Sequence, residues 1–264
     1  MMGAANLWSK FAGGVKADSL VSSVRGAKAG GGVLEIGTYC GYSALRVAAT
    51  LPGVHVSTIE VDPVHMVVAR NLVVLAGLTH QIHVWTGHSK YLVPQLSRQH
   101  CCTGGQPPFA ALFMDRWGSQ YHEDLALLEN HGVSVPNVLL VADNVLRTGA
   151  SLFLWRVAVR GGGCSYDSQL LQVNEFALYS EDWLSVSIHK QHSTARLQQE
   201  PPRELAELHG KAERLRERAF APGRSVSLAE RAAFAEGAQR CLAGVGVGVS
   251  ADLRSARRET QRKK

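Results

Sequence analysis

The 264-residue chain lacks any uninterrupted run of eighteen or more apolar residues, and its first thirty residues scatter Lys10, Lys16, Arg25 and Lys28 among glycine and serine. Neither a membrane span nor a secretory signal is expected. Cysteine is scarce: five residues, an odd number, with no regular spacing apart from the Cys101-Cys102 pair. Such usage argues against a disulfide framework and suits reduced thiols, so a cytoplasmic location is expected. Excess charge is absent from most of the chain. Residues 1–194 hold 13 Lys+Arg against 13 Asp+Glu, whereas residues 195–264 hold 15 against 9, so the net charge of +6 sits in the last quarter. The basic balance therefore says nothing about the larger part.

What is present is enough apolar material, 45% of residues, for one large core or a core with an appendage. Strand and helix patterns alternate: an apolar strand ending at Ile36, helix Tyr42 to Thr50, strand Val54 to Val61, helix Pro63 to Ala76, strand Ile82 to Trp85 and helix Ser89 to Gln99. After a loop from Cys101 to Pro108 come strand Phe109 to Met114, helix Tyr121 to Asn130, strand Val138 to Ala142 and helix Ala150 to Val159. This rhythm implies an α/β fold with a doubly wound parallel sheet, and the almost purely apolar strands imply helices on both faces. Two consecutive strands, Ser168 to Ala177 and Leu184 to His189, with a turn near Ser180 to Asp182, suggest an antiparallel hairpin that finishes the sheet. Beyond Ala195 the composition shifts to Glu, Arg, Ala and Leu. A boundary is expected there, between residues 1–194 and a basic extension, 195–264, with helices Glu204 to Ala219 and Leu228 to Leu242, a flexible Gly244 to Gly248 and a disordered end.

The most informative stretch is Ala29 to Ala44, AGGGVLEIGTYCGYSA, a strand carrying an acid and then two glycines four apart. A strand, glycine turn and helix start place a nucleotide-like ligand over the carboxyl end of a parallel sheet. A third glycine, which a dinucleotide's pyrophosphate would want, is missing, because Tyr42 and Ser43 follow Gly41 directly. The second strand ends in Glu60, 23 residues after Gly37, where a carboxylate can accept ribose hydroxyls or, more blandly, cap the next helix. Strands four and five end in Met114-Asp115 and Ala142-Asp143-Asn144. If these strands are neighbours, Asp115, Asp143 and Asn144 share one rim. Two carboxylates and an amide, without histidine or thiolate, suit a hard cation such as Mg²⁺; the alternative is that each only caps a helix.

The segments LEIGTYCGYSALR, TIEVDP, MDRWGSQY and VLLVADNV, in this order, resemble the catechol O-methyltransferase family over about residues 30 to 190. The resemblance implies a Rossmann-like methyltransferase fold with a seven-stranded, mostly parallel sheet and an antiparallel last strand, S-adenosylmethionine as methyl donor, Mg²⁺, and a vicinal diphenol as substrate. It implies that Glu35, Gly37, Tyr39, Tyr42 and Ser43 line the donor's amino acid end, that Glu60 holds the ribose, and that Ser89 and Trp117 flank the adenine. Asp115, also beside the cofactor, would bind the metal with Asp143 and Asn144. Asp115 and Glu175 would be the catalytic acids, with Glu175 holding the second substrate hydroxyl or, alternatively, facing solvent on its strand.

Three departures stand out. Gly118 occupies the position of the family's general-base lysine, a loss that typically costs about 10² to 10⁴ in rate. His122, Lys90 and Lys16 are the conceivable substitutes, and each is expected at the surface. Arg116 replaces the family's histidine and adds a charge near the adenine end. The chain begins about thirty residues before the first strand, so most of the family's amino-terminal helices are missing, and either the site is more open or the gene is truncated; Trp8 is a weak match to a gating tryptophan. The expected function is O-methylation of a catechol-like small molecule, with a catalytically impaired binding or scaffold protein as the alternative. A nicotinamide dehydrogenase fits poorly. A monomer is expected, and the extension, with Phe220 and Phe234 as its aromatic pair, reads as a solvated helical tail rather than a nucleic-acid module.

Overall fold

The computed structural model describes residues 14–27, 31–100, 109–159, 165–174, 181–190, 200–223 and 225–249. Seven strands form one sheet in the order β3-β2-β1-β4-β5-β7-β6. These are β1 (Gly32–Ile36), β2 (Val56–Glu60), β3 (Ile82–Thr86), β4 (Phe109–Met114), β5 (Leu139–Ala142), β6 (Tyr166–Asn174) and β7 (Glu181–His189). Strands β1 to β5 run parallel, and β7 is antiparallel to both of its neighbours, β5 and β6. The chain thus has the expected seven-stranded methyltransferase architecture. The last strand begins earlier than expected: pairing reaches Asn174 opposite Glu181, so Asp182 lies within β7 and not in a turn.

Alternate residues of the central strands feed two apolar layers. On one face Val33, Ala111, Phe113 and Val141 pack with α1 (Val15–Arg25), α2 (Tyr42–Thr50) and α3 (Pro63–Leu75). On the other, Leu34, Leu112, Met114 and Leu140 pack with α4 (Ser89–His100), α5 (Tyr121–Asn130) and α6 (Ser151–Val157). Helix α1 was not foreseen. Its residues Ala17, Leu20, Val21 and Val24 recur at helical spacing and are all buried, which seats it against the sheet.

The extension also behaves differently from a solvated tail. Helices α7 (Arg203–Phe220) and α8 (Leu228–Gly244) contribute Leu205, Leu208, Ala235, Ala238 and Leu242 to the second apolar layer. Val247, in the stretch expected to be flexible, is buried there too. The approach of α7 to the loop before α6 requires Gly149, at φ +74°, because a Cβ there would lie 2.3 Å from the Ala212 Cβ. Ser227 and Glu230 form a reciprocal capping box that starts α8. Among the described residues no helix is long and apolar enough to cross a membrane.

Because Leu205 is fully buried, Leu205→Ala should destabilise the whole protein by about 2–5 kcal/mol in chemical denaturation. A midpoint unchanged from the parent would show that α7 is dispensable to the core.

Candidate functional site

The sheet register sets the site. Ile36 pairs with both Ile59 and Met114, and Met114 pairs with Ala142. The next residue of each strand or turn, Glu60, Gly37, Asp115 and Asp143, therefore stands in one row, at neighbour spacings of about 4.8 Å. Backbone bonds continue the ladder past the strand ends: Gly37 N–H to Ile59 O (3.0 Å), Asp115 N–H to Ile36 O (2.9 Å) and Asp143 N–H to Met114 O (2.9 Å). Gly37, at φ +107°, is required by this closeness, since a Cβ would lie 2.1 Å from the Asp115 carbonyl oxygen.

Tyr121 locks the row from beneath. Its fully buried hydroxyl accepts the Arg116 N–H (3.1 Å) and shares its one hydrogen among the carbonyls of Asp143 (2.9 Å), Arg116 (3.0 Å) and Met114 (3.1 Å). Burial first, and then the charges of Asp115 and Asp143, push this phenol well above its ordinary range, so it remains a neutral donor.

At the left of the row, Glu60 accepts the N–H groups of Tyr39 (2.7 Å) and Asp62 (2.8 Å). The cap of α3 is Asp62, which accepts from Val64 N–H at 2.8 Å, so Glu60 is not the helix cap of the blander reading. A carboxylate can accept about four hydrogen bonds, which leaves Glu60 capacity for a ligand. Tyr39 holds a left-handed conformation (φ 48°) and its ring meets His65 edge-on. Gly41 opens α2, whose first turn contains Tyr42 and Ser43, carries no acidic residue and has no side-chain cap. Such a helix start can receive a carboxylate. Behind it, Glu35 is buried and accepts hydrogen bonds from Ser43 Oγ and Thr58 Oγ1. Burial pushes the Glu35 carboxyl up to about 7; the bonds from Ser43 and Thr58 oppose this, and the Glu60 charge adds to it.

The remaining expected residues are found in this way. Ser89 opens α4 and donates to Asp124 Oδ1 (2.7 Å), an atom that also accepts from Arg116 (3.1 Å). The charge of Arg116 is thus paired with a buried carboxylate. Trp117 packs edge-on against Phe220 of α7 at 5.7 Å and under the Arg231 guanidinium of α8 at 5.6 Å, with its Nε1 buried and unbonded. Gly118 is buried in a place with no room for a side chain: a Cβ would lie 2.2 Å from Thr148 Oγ1, which accepts the Gly118 N–H at 2.9 Å. Glu175 and Trp8 lie outside the described residues.

The largest surprise is Lys16. Expected at the surface, it is 1% exposed, and its Nζ lies 2.9 Å from Asp143 Oδ1, 3.1 Å from Asp143 Oδ2 and 2.7 Å from Asn144 Oδ1. Asn144, in a left-handed conformation (φ 55°), turns its amide oxygen to the same ammonium. Asp182 completes the cluster. It accepts the N–H groups of Leu146 (3.2 Å), Arg147 (3.2 Å) and Trp183 (2.8 Å) through Oδ1, while Oδ2 is buried without a hydrogen-bond partner. Burial raises its carboxyl to about 7, with Lys16 pulling down and Asp143 pushing up.

The oxygen set of Asp115, Asp143 and Asn144 has the chemistry of a Mg²⁺ site, which wants near-octahedral ligands at about 2.0–2.1 Å. Two of those three side chains are, however, already bonded by the Lys16 ammonium. A dication and the ammonium cannot share that space, so with Lys16 seated there the residues do not fit the metal. Among the described residues no group of three or more His, Cys, Asp or Glu side chains is placed to hold a metal ion.

The fold and the rim define a Rossmann-like methyltransferase. Residues 15–154 match the O-methyltransferase family, and the chain belongs to that family. It is 35% identical to catechol O-methyltransferase of Sus scrofa over 162 residues, covering 60% of this chain and 82% of that protein. It is 36% identical to that of Bos taurus over 147 residues, covering 54% and 52%. The chain spans about half the length of most of the curated relatives it matches. An O-methyltransferase from Bacillus cereus, solved with S-adenosylhomocysteine, superposes with a TM-score of 0.56 at 22% identity, covering 71% of this chain and 86% of that one.

The pH dependence of stability tests the electrostatics of the rim. Glu35 is held above its ordinary 4.5, so its contribution is complete below about pH 4.5 and is lost as pH rises through 7. Between pH 5 and 8 the unfolding free energy should fall, with the Glu35 part on the order of 3 kcal/mol. Glu35→Gln should flatten that part of the slope in denaturant titrations, and an unchanged slope would contradict the assignment.

Proposed function

We propose that this chain transfers a methyl group from S-adenosylmethionine to one hydroxyl of a catechol-like small molecule. The observation that carries this reading is the row Glu60, Gly37, Asp115 and Asp143 beside the uncapped start of α2. When bound, the donor supplies a sulfonium methyl. The residues divide its recognition by chemistry. The α2 N-terminus receives the donor's carboxylate. Glu35, with Ser43 beside it, faces the donor's ammonium, whose positive charge favours the ionised carboxyl. Glu60 accepts from the ribose hydroxyls, with Tyr39 N–H fixing its direction. Ser89 and Trp117 border the adenine, and Asp115, Asp143 and Asn144 stand on the acceptor side.

In the transfer a phenolate oxygen attacks the methyl carbon, the carbon–sulfur bond breaks and its electron pair stays on sulfur. The products are a methyl ether and S-adenosylhomocysteine, and the phenol's proton passes to water. Since Thr148 fills the space where a side chain on Gly118 would begin, a general base at that position is missing, and the rate depends on phenol already ionised, at an ordinary pKa of about 10. Holding the two reactants in line then supplies most of the acceleration.

Calorimetry with S-adenosylmethionine and product analysis with catechol test this together. We expect binding that Glu60→Ala weakens about 10- to 100-fold, the worth of a charged hydrogen bond, and slow transfer that accelerates toward high pH. Binding without transfer across several diphenols would instead favour a binding protein that keeps the family fold.

A further inference from the structure

We infer that Lys16 is a built-in cation that occupies the seat of a divalent metal, so that the Asp115, Asp143 and Asn144 rim takes no Mg²⁺ while Lys16 is present. Three observations carry this. The Lys16 ammonium lies 2.7 to 3.1 Å from three oxygens of Asp143 and Asn144. The ion pair itself is buried, since Lys16 and Asp143 are each 1% exposed. The lysine is also held from its own side: Ala17, Leu20, Val21 and Val24 bury the face of α1 that carries it.

The charges explain why the lysine stays. Each carboxylate removed from water needs a partner, and separating a buried pair leaves a charge in the interior uncompensated. A metal entering this seat would first have to expel the ammonium and rehydrate it, and then shed its own tightly held water. Lysine brings its charge as part of the chain, at no cost of capture from solution. It also fixes Asn144 in its left-handed turn, which leads to Thr148, the side chain that leaves Gly118 no room. The loss of the base position and the filling of the metal seat thus belong to one connected segment, residues 143 to 148.

The inference concerns the chain's own ion pairing, and only its activity arm rests on the methyl-transfer reading. The test is a titration of the full chain, stripped with chelator, with Mn²⁺ followed by electron paramagnetic resonance, in the parent, Lys16→Met and Asp143→Asn. The parent should show no saturable site up to about 1 mM Mn²⁺, and Lys16→Met should gain one site at least about tenfold tighter. Methyl transfer by the parent should be the same with and without chelator. A single Mn²⁺ site in the parent that Asp143→Asn abolishes would overturn the inference, as would a folded Lys16→Met protein that binds no better than the parent. Should Lys16→Met fail to fold by circular dichroism, the parent and Asp143→Asn titrations decide alone. Absence of transfer under all conditions would count against the proposed function and leave the Mn²⁺ result standing.

Discussion

The site depends on a single buried hydroxyl. Tyr121 Oη ties the ends of β4 and β5 to each other through Met114, Arg116 and Asp143. Without that tie the Asp143 carbonyl would lose the buried hydroxyl that donates to it, a penalty of about 1–3 kcal/mol. With it, two acidic residues stand side by side at the centre of the rim, where like charges repel. The chain answers that repulsion with a cation of its own, Lys16, brought in by a helix that packs on the opposite layer of the sheet. The row of functional groups is thus a consequence of sheet register, and its charge balance a consequence of where α1 docks.

The same logic accounts for the departures from the family pattern. Gly118 is not a vacancy awaiting a lysine, because Thr148 and Ala150 fill the space beside it. Arg116 does not add an open charge, because Asp124 neutralises it from the first turn of α5. Helices α7 and α8 cover Trp117 and bury five side chains in the main core. Glu213 even reaches inward to accept from Ser119.

Much of this was legible in the sequence. Strands buried on both faces announce themselves as apolar runs, which is why β1 to β5 and their order of appearance were readable, and the glycine turn and strand-end acids placed the rim. What escaped was set by tertiary packing. Among its described side chains helix α1 buries four apolar residues, set among serines and charges, too weak a pattern beside its glycines, and a lysine inside it reads as solvated until the partner carboxylate is seen. Asp182 looked like a turn residue because the pairing of β6 with β7 extends beyond their apolar parts. The role of Gly118 was readable as a loss but not as a filled space, since Thr148 lies thirty residues away in the chain.

A lysine in place of a metal balances the acids of the rim. A crystal structure of the protein with S-adenosylhomocysteine, grown in millimolar Mg²⁺, tests it most directly. The expected result is the ligand over the Gly37 to Gly41 turn with Lys16 Nζ still bonded to Asp143 and Asn144. Lys16 swung away, with an octahedral ion on Asp115, Asp143 and Asn144 in its place, would contradict it.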